Sequence, residues 1–350
     1  MASYRERLTA DLDRWIAAGL ALPENRQVML DMTAEPKRLD AATALALVGV
    51  VFIGAAVIAF VAANWDGIPR IGRFAILITA FLAAAGGGAW TGARGRPNAS
   101  NGLLTLATVL FAASIGLTGQ IFDIAGDSKT ALIGAAVGAA ALGLVGRSSG
   151  AVIAALLFVG MADFFPPDSW WLTPAAVVGV IAAWLWRSVP MAHAAGLALA
   201  VGIGMAAERL TPDNLTHDAS ALAASVVLAI ATLVARLQRD RGRQEATIFY
   251  GWWVWGALAA FAAITSWTDG DNLKLVHRGA WLLISGGVLA LGRHDRHALI
   301  TAAGVVSLMA AVAAVLFDLG LDLVYAAMVF GAAAVLVLGA GWLLRRRGAS

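Results

Sequence analysis

The chain has 350 residues, 60% of them apolar and only 13% charged, with a mean hydropathy of +0.78. A soluble domain carries about 25% charged residues, so this composition excludes a water-covered exterior and points to lipid as the solvent. The net charge of +3 does not imply nucleic acid, because the basic residues sit in short groups between apolar runs and form no continuous patch. The absence of cysteine excludes disulfides, thiolate metal sites and cysteine nucleophiles.

Residues 1–40 differ from everything after them. Leu8, Leu12, Trp15 and Ile16 fall at helical spacing, which predicts an amphipathic helix over Tyr4 to Ala18. Gly19 is placed to end it, and Pro23 to open a second helix carrying Val28 and Met32 on one face. The apolar stripe of this hairpin is too small to fold alone, so a partner is expected for residues 1–40, either another protein or the membrane face of the same chain. No cleavage-site pattern follows the first apolar run, so that run is expected to remain as a span.

From Ala41 onward the chain consists of apolar runs of the length a bilayer demands. Spans are predicted near 41–63, 71–90, 102–122, 130–146, 149–165, 172–186, 191–207, 219–235, 248–267, 276–292, 298–317 and 322–344. With the N-terminus inside, 19 of the 25 basic residues fall on the cytoplasmic side and 6 outside, as the positive-inside bias requires. An even number of spans keeps Arg345, Arg346 and Arg347 on the side of the N-terminal segment. Tryptophans such as Trp90, Trp184 and Trp267 lie near span ends, where an indole sits among headgroups. Stretches such as Gly134 to Gly138 supply the small residues that let helices approach in lipid. No inverted repeat relates the two halves.

Functional hypotheses start from polar residues the bilayer makes expensive. The first cluster closes span one with Asn64, Trp65 and Asp66 and continues to Arg70 and Arg73. Its two readings are an interfacial turn, with Asp66 paired to Arg70 or Arg73, and an outward-facing site. The second cluster ends span three with Gln120, Asp123 and Asp127. Gln120 and Asp123 are three apart and would share a helix face, either as an interhelical hydrogen bond or as a site for a polar solute or proton. Asp127 after Gly126 also reads as a turn.

Isolated candidates complete the set. Asp163 is expected to reach the interface, His193 to be packed and hydrogen-bonded, and Arg278 to pair with an outer carboxylate such as Asp269 or Asp271. His294 and His297 have a spacing that could share a metal, but they lie in a short basic loop. No phosphate loop, zinc-protease pattern or nucleophile elbow is present. No catalytic residue, metal ligand or cofactor is therefore assigned.

Three features together resemble an uncharacterised family of bacterial membrane proteins, domain of unknown function 2157. They are the N-terminal hairpin with Arg14-Trp15 and Gly19-Leu20 before Pro23, the Ala-Ala-Asn64-Trp65 end of span one, and the segment from Gly119-Gln120 to Gly126. The resemblance covers roughly the first 130 residues. It implies a multi-span cytoplasmic-membrane protein preceded by a small cytosolic module, and supplies no substrate.

The sequence thus predicts an all-α, polytopic transmembrane helical bundle of about twelve spans. A cytosolic hairpin occupies 1–40, the bundle 41–344 and a basic cytoplasmic tail 345–350, with both termini cytoplasmic in the inner membrane of a bacterium. The bilayer is its one certain partner, and nucleic acid is not expected. For function it offers a transporter-like protein with a polar site at the outer ends of spans one and three, formed from Asn64, Trp65, Asp66, Arg73, Gln120, Asp123, Asp127 and Arg278. The alternatives are a scaffold, sensor or partner subunit using the N-terminal hairpin, and an enzyme acting on a lipid-linked substrate.

Overall fold

Apolar runs punctuated every twenty or so residues by Gly, Pro, Ser or Arg give helices, because in lipid each backbone polar group must be satisfied within its own segment. The computed structural model describes residues 4–32, 67–123, 125–165, 169–212, 217–239, 241–264 and 271–319, with isolated positions 328 and 331, and every element among them is a helix. The chain divides into two units, residues 1–69 and 70–350.

In the first unit α1 (Tyr4–Ala17) and α2 (Asn25–Asp31) form the expected hairpin. Gly19 ends α1 in the left-handed region at φ +72°, where a side chain would be strained, and the Leu20 N–H donates to the Trp15 carbonyl at 2.8 Å. Pro23 lies in the turn and does not open α2, whose cap is Glu24. Leu12 and Leu30 are buried, and Arg26 donates to Asp13 at 2.7 Å.

The second unit contains ten described helices: α3 (Arg70–Ala93), α4 (Pro97–Ile121), α5 (Ser128–Gly146), α6 (Ser149–Asp163), α7 (Leu172–Trp186), α8 (Val189–Leu210), α9 (His217–Arg239), α10 (Gln244–Ala262), α11 (Asp271–His294) and α12 (Ala298–Asp318). They coincide in position with the predicted runs from 71–90 to 298–317. The run at 41–63, that at 322–344 apart from positions 328 and 331, and the 345–350 tail fall outside the described residues. Seven of the ten are long and apolar enough to cross a membrane. Helices α6 and α7 have 15 residues each, about 22 Å of rise against a hydrocarbon core of about 30 Å.

The ten helices pack as five consecutive hairpins, α3/α4, α5/α6, α7/α8, α9/α10 and α11/α12. One turn builds all five. A left-handed residue ends the first helix (Gly95, Arg147, Arg187, Gly242 or Arg296). A residue at φ between −87° and −109° then precedes the second helix (Arg96, Ser148, Ser188, Arg243 or His297). In four of them the N–H of that second residue reaches back five residues, as Ser148 does to the Gly143 carbonyl at 2.9 Å and His297 to Gly292 at 2.8 Å. The recurrence escapes the sequence because a backbone conformation is repeated and the residues are not.

Helix α10 is the hub. It packs on α8, α9 and α12 and buries Phe249, Tyr250, Trp253 and Val254 in one cluster with Ala183, Met191, Leu228 and Ile300. Small residues set the closest approaches. A Cβ on Gly304 would stand 2.5 Å from the Leu289 backbone nitrogen, so α11 and α12 touch backbone to backbone.

Candidate functional site

Every described hairpin has a turn end and an open end, and polar side chains gather at both. At the open end, Arg70 at the start of α3 donates to Asp123 beyond α4, Nη2 to Oδ2, at 2.7 Å. Asp123 does not share a helix face with Gln120. The helix stops at Ile121, Phe122 caps it, and Asp123 turns left-handed at φ 54°. Gln120 is exposed and makes no hydrogen bond among the described residues. Arg73 lies one turn into α3 and is half-buried. Asn64, Trp65 and Asp66 fall outside the described residues.

Asp127 caps α5, accepting from the Thr130 hydroxyl at 2.8 Å and the Thr130 N–H at 2.7 Å. These bonds, the hydroxyl's first, hold its carboxyl below the usual range. Asp163 does not reach a wet interface. The carboxylate is 1% exposed and accepts from the Ser169 hydroxyl at 2.5 Å and the Leu172 N–H at 2.7 Å, bracing the loop from α6 to α7. Beside it the Lys129 ammonium donates to the Phe165 carbonyl at 3.2 Å.

Arg278 pairs with Asp318, the last residue of α12, at 2.8 Å, while Lys274 holds the other carboxylate oxygen at 2.7 Å. From that clamp a polar column descends between α11 and α12. His277 is buried, with Nε2 3.1 Å from the Phe261 carbonyl and Nδ1 3.4 Å from Arg278. Trp281 donates to the Ser307 hydroxyl at 2.9 Å, and Ser307 shares a hydrogen bond with Ser285 at 2.8 Å. Lys274 to Ser285 spans about 16 Å of helix. No series of acids or histidines within one span marks this column, so it leaves little trace in the sequence. The available signal was the four-residue spacing of His277, Trp281 and Ser285.

The turn end carries a different constellation. Asp295, in the turn between α11 and α12, accepts from Arg236 through both oxygens at 2.8 and 3.0 Å and from the Tyr250 hydroxyl at 2.8 Å. Arg239 donates to its carbonyl at 2.6 Å. The Arg236 hydrogen bonds lead in lowering the Asp295 carboxyl to about 2. His297 caps α12 by accepting from the Ile300 N–H at 3.4 Å, and its Nε2 lies 2.8 Å from the Thr247 carbonyl, which assigns the proton to Nε2. Of the pair His294 and His297 whose spacing could share a metal, His297 is thus engaged with protein groups. Among the described residues no group of three His, Asp or Glu could hold a metal ion. His193 accepts from the Trp252 indole at 3.0 Å, hydrogen-bonded as expected but exposed and not packed inside the bundle.

A bundle of long apolar helices whose polar groups concentrate at the helix ends is a multi-helix integral membrane protein. Residues 13–152 match the model of the family described as predicted membrane protein (DUF2157), the family whose likeness the N-terminal hairpin and the Gln120 segment carry. No curated protein and no solved structure matches the chain.

Proposed function

We propose that this protein is a membrane-embedded scaffold or partner subunit, crossing a bacterial cytoplasmic membrane about twelve times with both termini in the cytoplasm. The turn ends then face the cytoplasm, which accords with the arginines they carry, among them Arg94, Arg96, Arg147, Arg187, Arg243 and Arg296. One observation carries the scaffold reading. Of the open-end residues expected to form a site, Asp123, Asp127 and Arg278 are bound to groups of their own or the neighbouring helix, and they stand at separate hairpins. Such bonds brace helices. The N-terminal hairpin supplies the contact surface, with Leu20 78% and Met32 81% exposed and Trp15, Leu22 and Val28 also open. Large apolar side chains left open together are the mark of an interaction face.

Transport of a polar solute or proton is the second reading, favoured by the column from Lys274, Arg278 and Asp318 through His277 to Ser285. The cysteine-free chain separates the two. Single substitutions Ser285→Cys and Ser307→Cys, with Asp123→Cys as the exposed control, are treated in intact cells with a membrane-impermeant thiol reagent. The scaffold reading expects reaction at Asp123→Cys alone. Reaction at Ser285→Cys would require a water-filled path to mid-membrane and would give the transport reading precedence.

A further inference from the structure

Bracing α11 against α12 needs only Asp318 and its two cations, yet a histidine is built into the same clamp. His277 is 4% exposed, and both of its ring nitrogens are engaged. Nε2 faces the Phe261 carbonyl at 3.1 Å, which can only accept, so Nε2 carries the proton. Nδ1 is then a bare acceptor, and it lies 3.4 Å from Nη1 of Arg278, which can only donate. This arrangement holds on one condition, that the imidazole is neutral.

The ring is held so that it cannot turn away from a second proton. Phe261 stacks on it with ring centres 4.9 Å apart, and Trp281 flanks it at 6.1 Å. A proton on Nδ1 therefore sets one N–H against another. It also places a positive charge beside the Arg278 guanidinium, whose side chain is only 14% exposed, so water screens the repulsion little. The neighbouring helices do not offset it. Helix α11 brings Lys274 and Arg278, both cationic, and its first residue, Asp271, has no described side chain. Helix α12 holds one charged residue, Asp318, which already serves both cations, and α10 holds none from Ala246 to Ala262. Among the described side chains, three cations would then share one carboxylate. Lys274, one turn nearer the helix end, is 34% exposed, which puts the clamp within reach of protons from the open end.

We propose that His277 is a proton-operated latch on the α11/α12 hairpin. Neutral, it holds Arg278 in place on Asp318 and keeps the mouth of the hairpin shut. On taking up a proton at Nδ1 it drives the guanidinium off, Asp318 is left to Lys274 alone, and the open ends of α11 and α12 part. The proton comes from water at the open end and returns to it. No path to mid-membrane is needed, so the latch is compatible with the scaffold and the transport readings alike.

The test uses the full chain in phosphatidylcholine nanodiscs, whose two faces share one buffer. Spin labels are placed through Leu273→Cys and Leu319→Cys, exposed positions beside Lys274 and Asp318, and their separation is read from the dipolar coupling. The labelled chain is expected to give one short distance at pH 8 and a longer, broader one at pH 5. His277→Gln keeps a donor for Phe261 and an acceptor for Arg278 but takes up no proton, so it should hold the short distance at both. Arg278→Gln, which removes the cation that the proton meets, should also abolish the response while Lys274 retains Asp318. Asp318→Asn should give the longer distance at both pH values. A separation that ignores pH in the labelled chain, or a full pH response in His277→Gln, would overturn the latch. Thermal unfolding at pH 8 checks that each variant folds, and if His277→Gln does not, a full response in Arg278→Gln overturns the latch in its place.

Discussion

The two ends of the bundle use charge in opposite ways. At the open end, ties such as Arg70 to Asp123 and Arg278 to Asp318 run between the two helices of one hairpin, closing a mouth that the backbone leaves unconnected. At the turn end, the backbone already joins the helices, and polar side chains join one hairpin to the next. Asp295 gathers Arg236 and Tyr250 from α9/α10 to the α11/α12 turn, and Arg243 reaches the Trp184 carbonyl of α7. The hydroxyl of Ser148, in the α5/α6 turn, donates to the Asn101 side chain of α4 at 2.9 Å. The Asp295 side chain is 7% exposed and that of Asp123 is 72% exposed. Neighbouring hairpins are also tied at the open end, where the buried Asp163 accepts from the Leu172 N–H. The difference teaches that the Asp295 cluster joins hairpins from a buried position, whereas the Arg70–Asp123 pair only keeps one hairpin shut.

The comparison predicts its largest effect at Asp295. Asp295→Ala takes the carboxylate from Arg236 and the Tyr250 hydroxyl together, while Arg239 keeps its bond to the residue's carbonyl. Losing charged hydrogen bonds at this site, whose arginines are half-buried, costs about 3 kcal/mol. Thermal unfolding in mild detergent should record a loss of that order, and one below about 1 kcal/mol would erase the distinction between the ends. The same carboxylate sets a pH response. Its folded value of about 2 lies below the unfolded value of about 3.9, so its contribution is fully present above pH ~4 and lost as the pH falls through ~2. Comparing wild type with Asp295→Asn between pH 6 and 2, the wild type alone should lose about 2 kcal/mol from this group. Parallel curves would mean the carboxylate is not held as described.

Packing contributes the next effect. Because α11 and α12 meet backbone to backbone at Gly304, Gly304→Ala forces them apart and should cost about 1–3 kcal/mol. A neutral Gly304→Ala would show that the contact yields freely and that the polar column beside it tolerates a wider gap.

Much of this architecture was legible in the residues. Run lengths located the ten described helices of the second unit because hydrocarbon thickness leaves few alternatives, and Gly19 located the hairpin turn because its backbone conformation excludes side chains. What escaped were relations between segments. Arg278 finds its outer carboxylate in Asp318, forty residues on, and Asp163 is buried in place of reaching the interface. The Ser285–Ser307 bond joins two hydroxyls that are unremarkable in either helix alone. Periodicity reports which face of a helix is apolar but not which helix covers it, so polar pairs formed across hairpins leave almost no linear trace.

The smallest effect is also the most discriminating for the open end. Asp123 holds a left-handed backbone at φ 54°, which costs a non-glycine residue about 1 kcal/mol. Its ion pair with Arg70, solvent-exposed on both sides, returns about 0–1 kcal/mol. Asp123→Gly removes the strain and the pair together, so stability should change by less than about 1 kcal/mol in either direction. Arg70→Gln, which removes the pair and keeps the strain, should be the more destabilising of the two. If Asp123→Gly instead costs several kcal/mol, the carboxylate holds more of the structure than its exposed pair accounts for, and the open end would no longer be the weaker of the two.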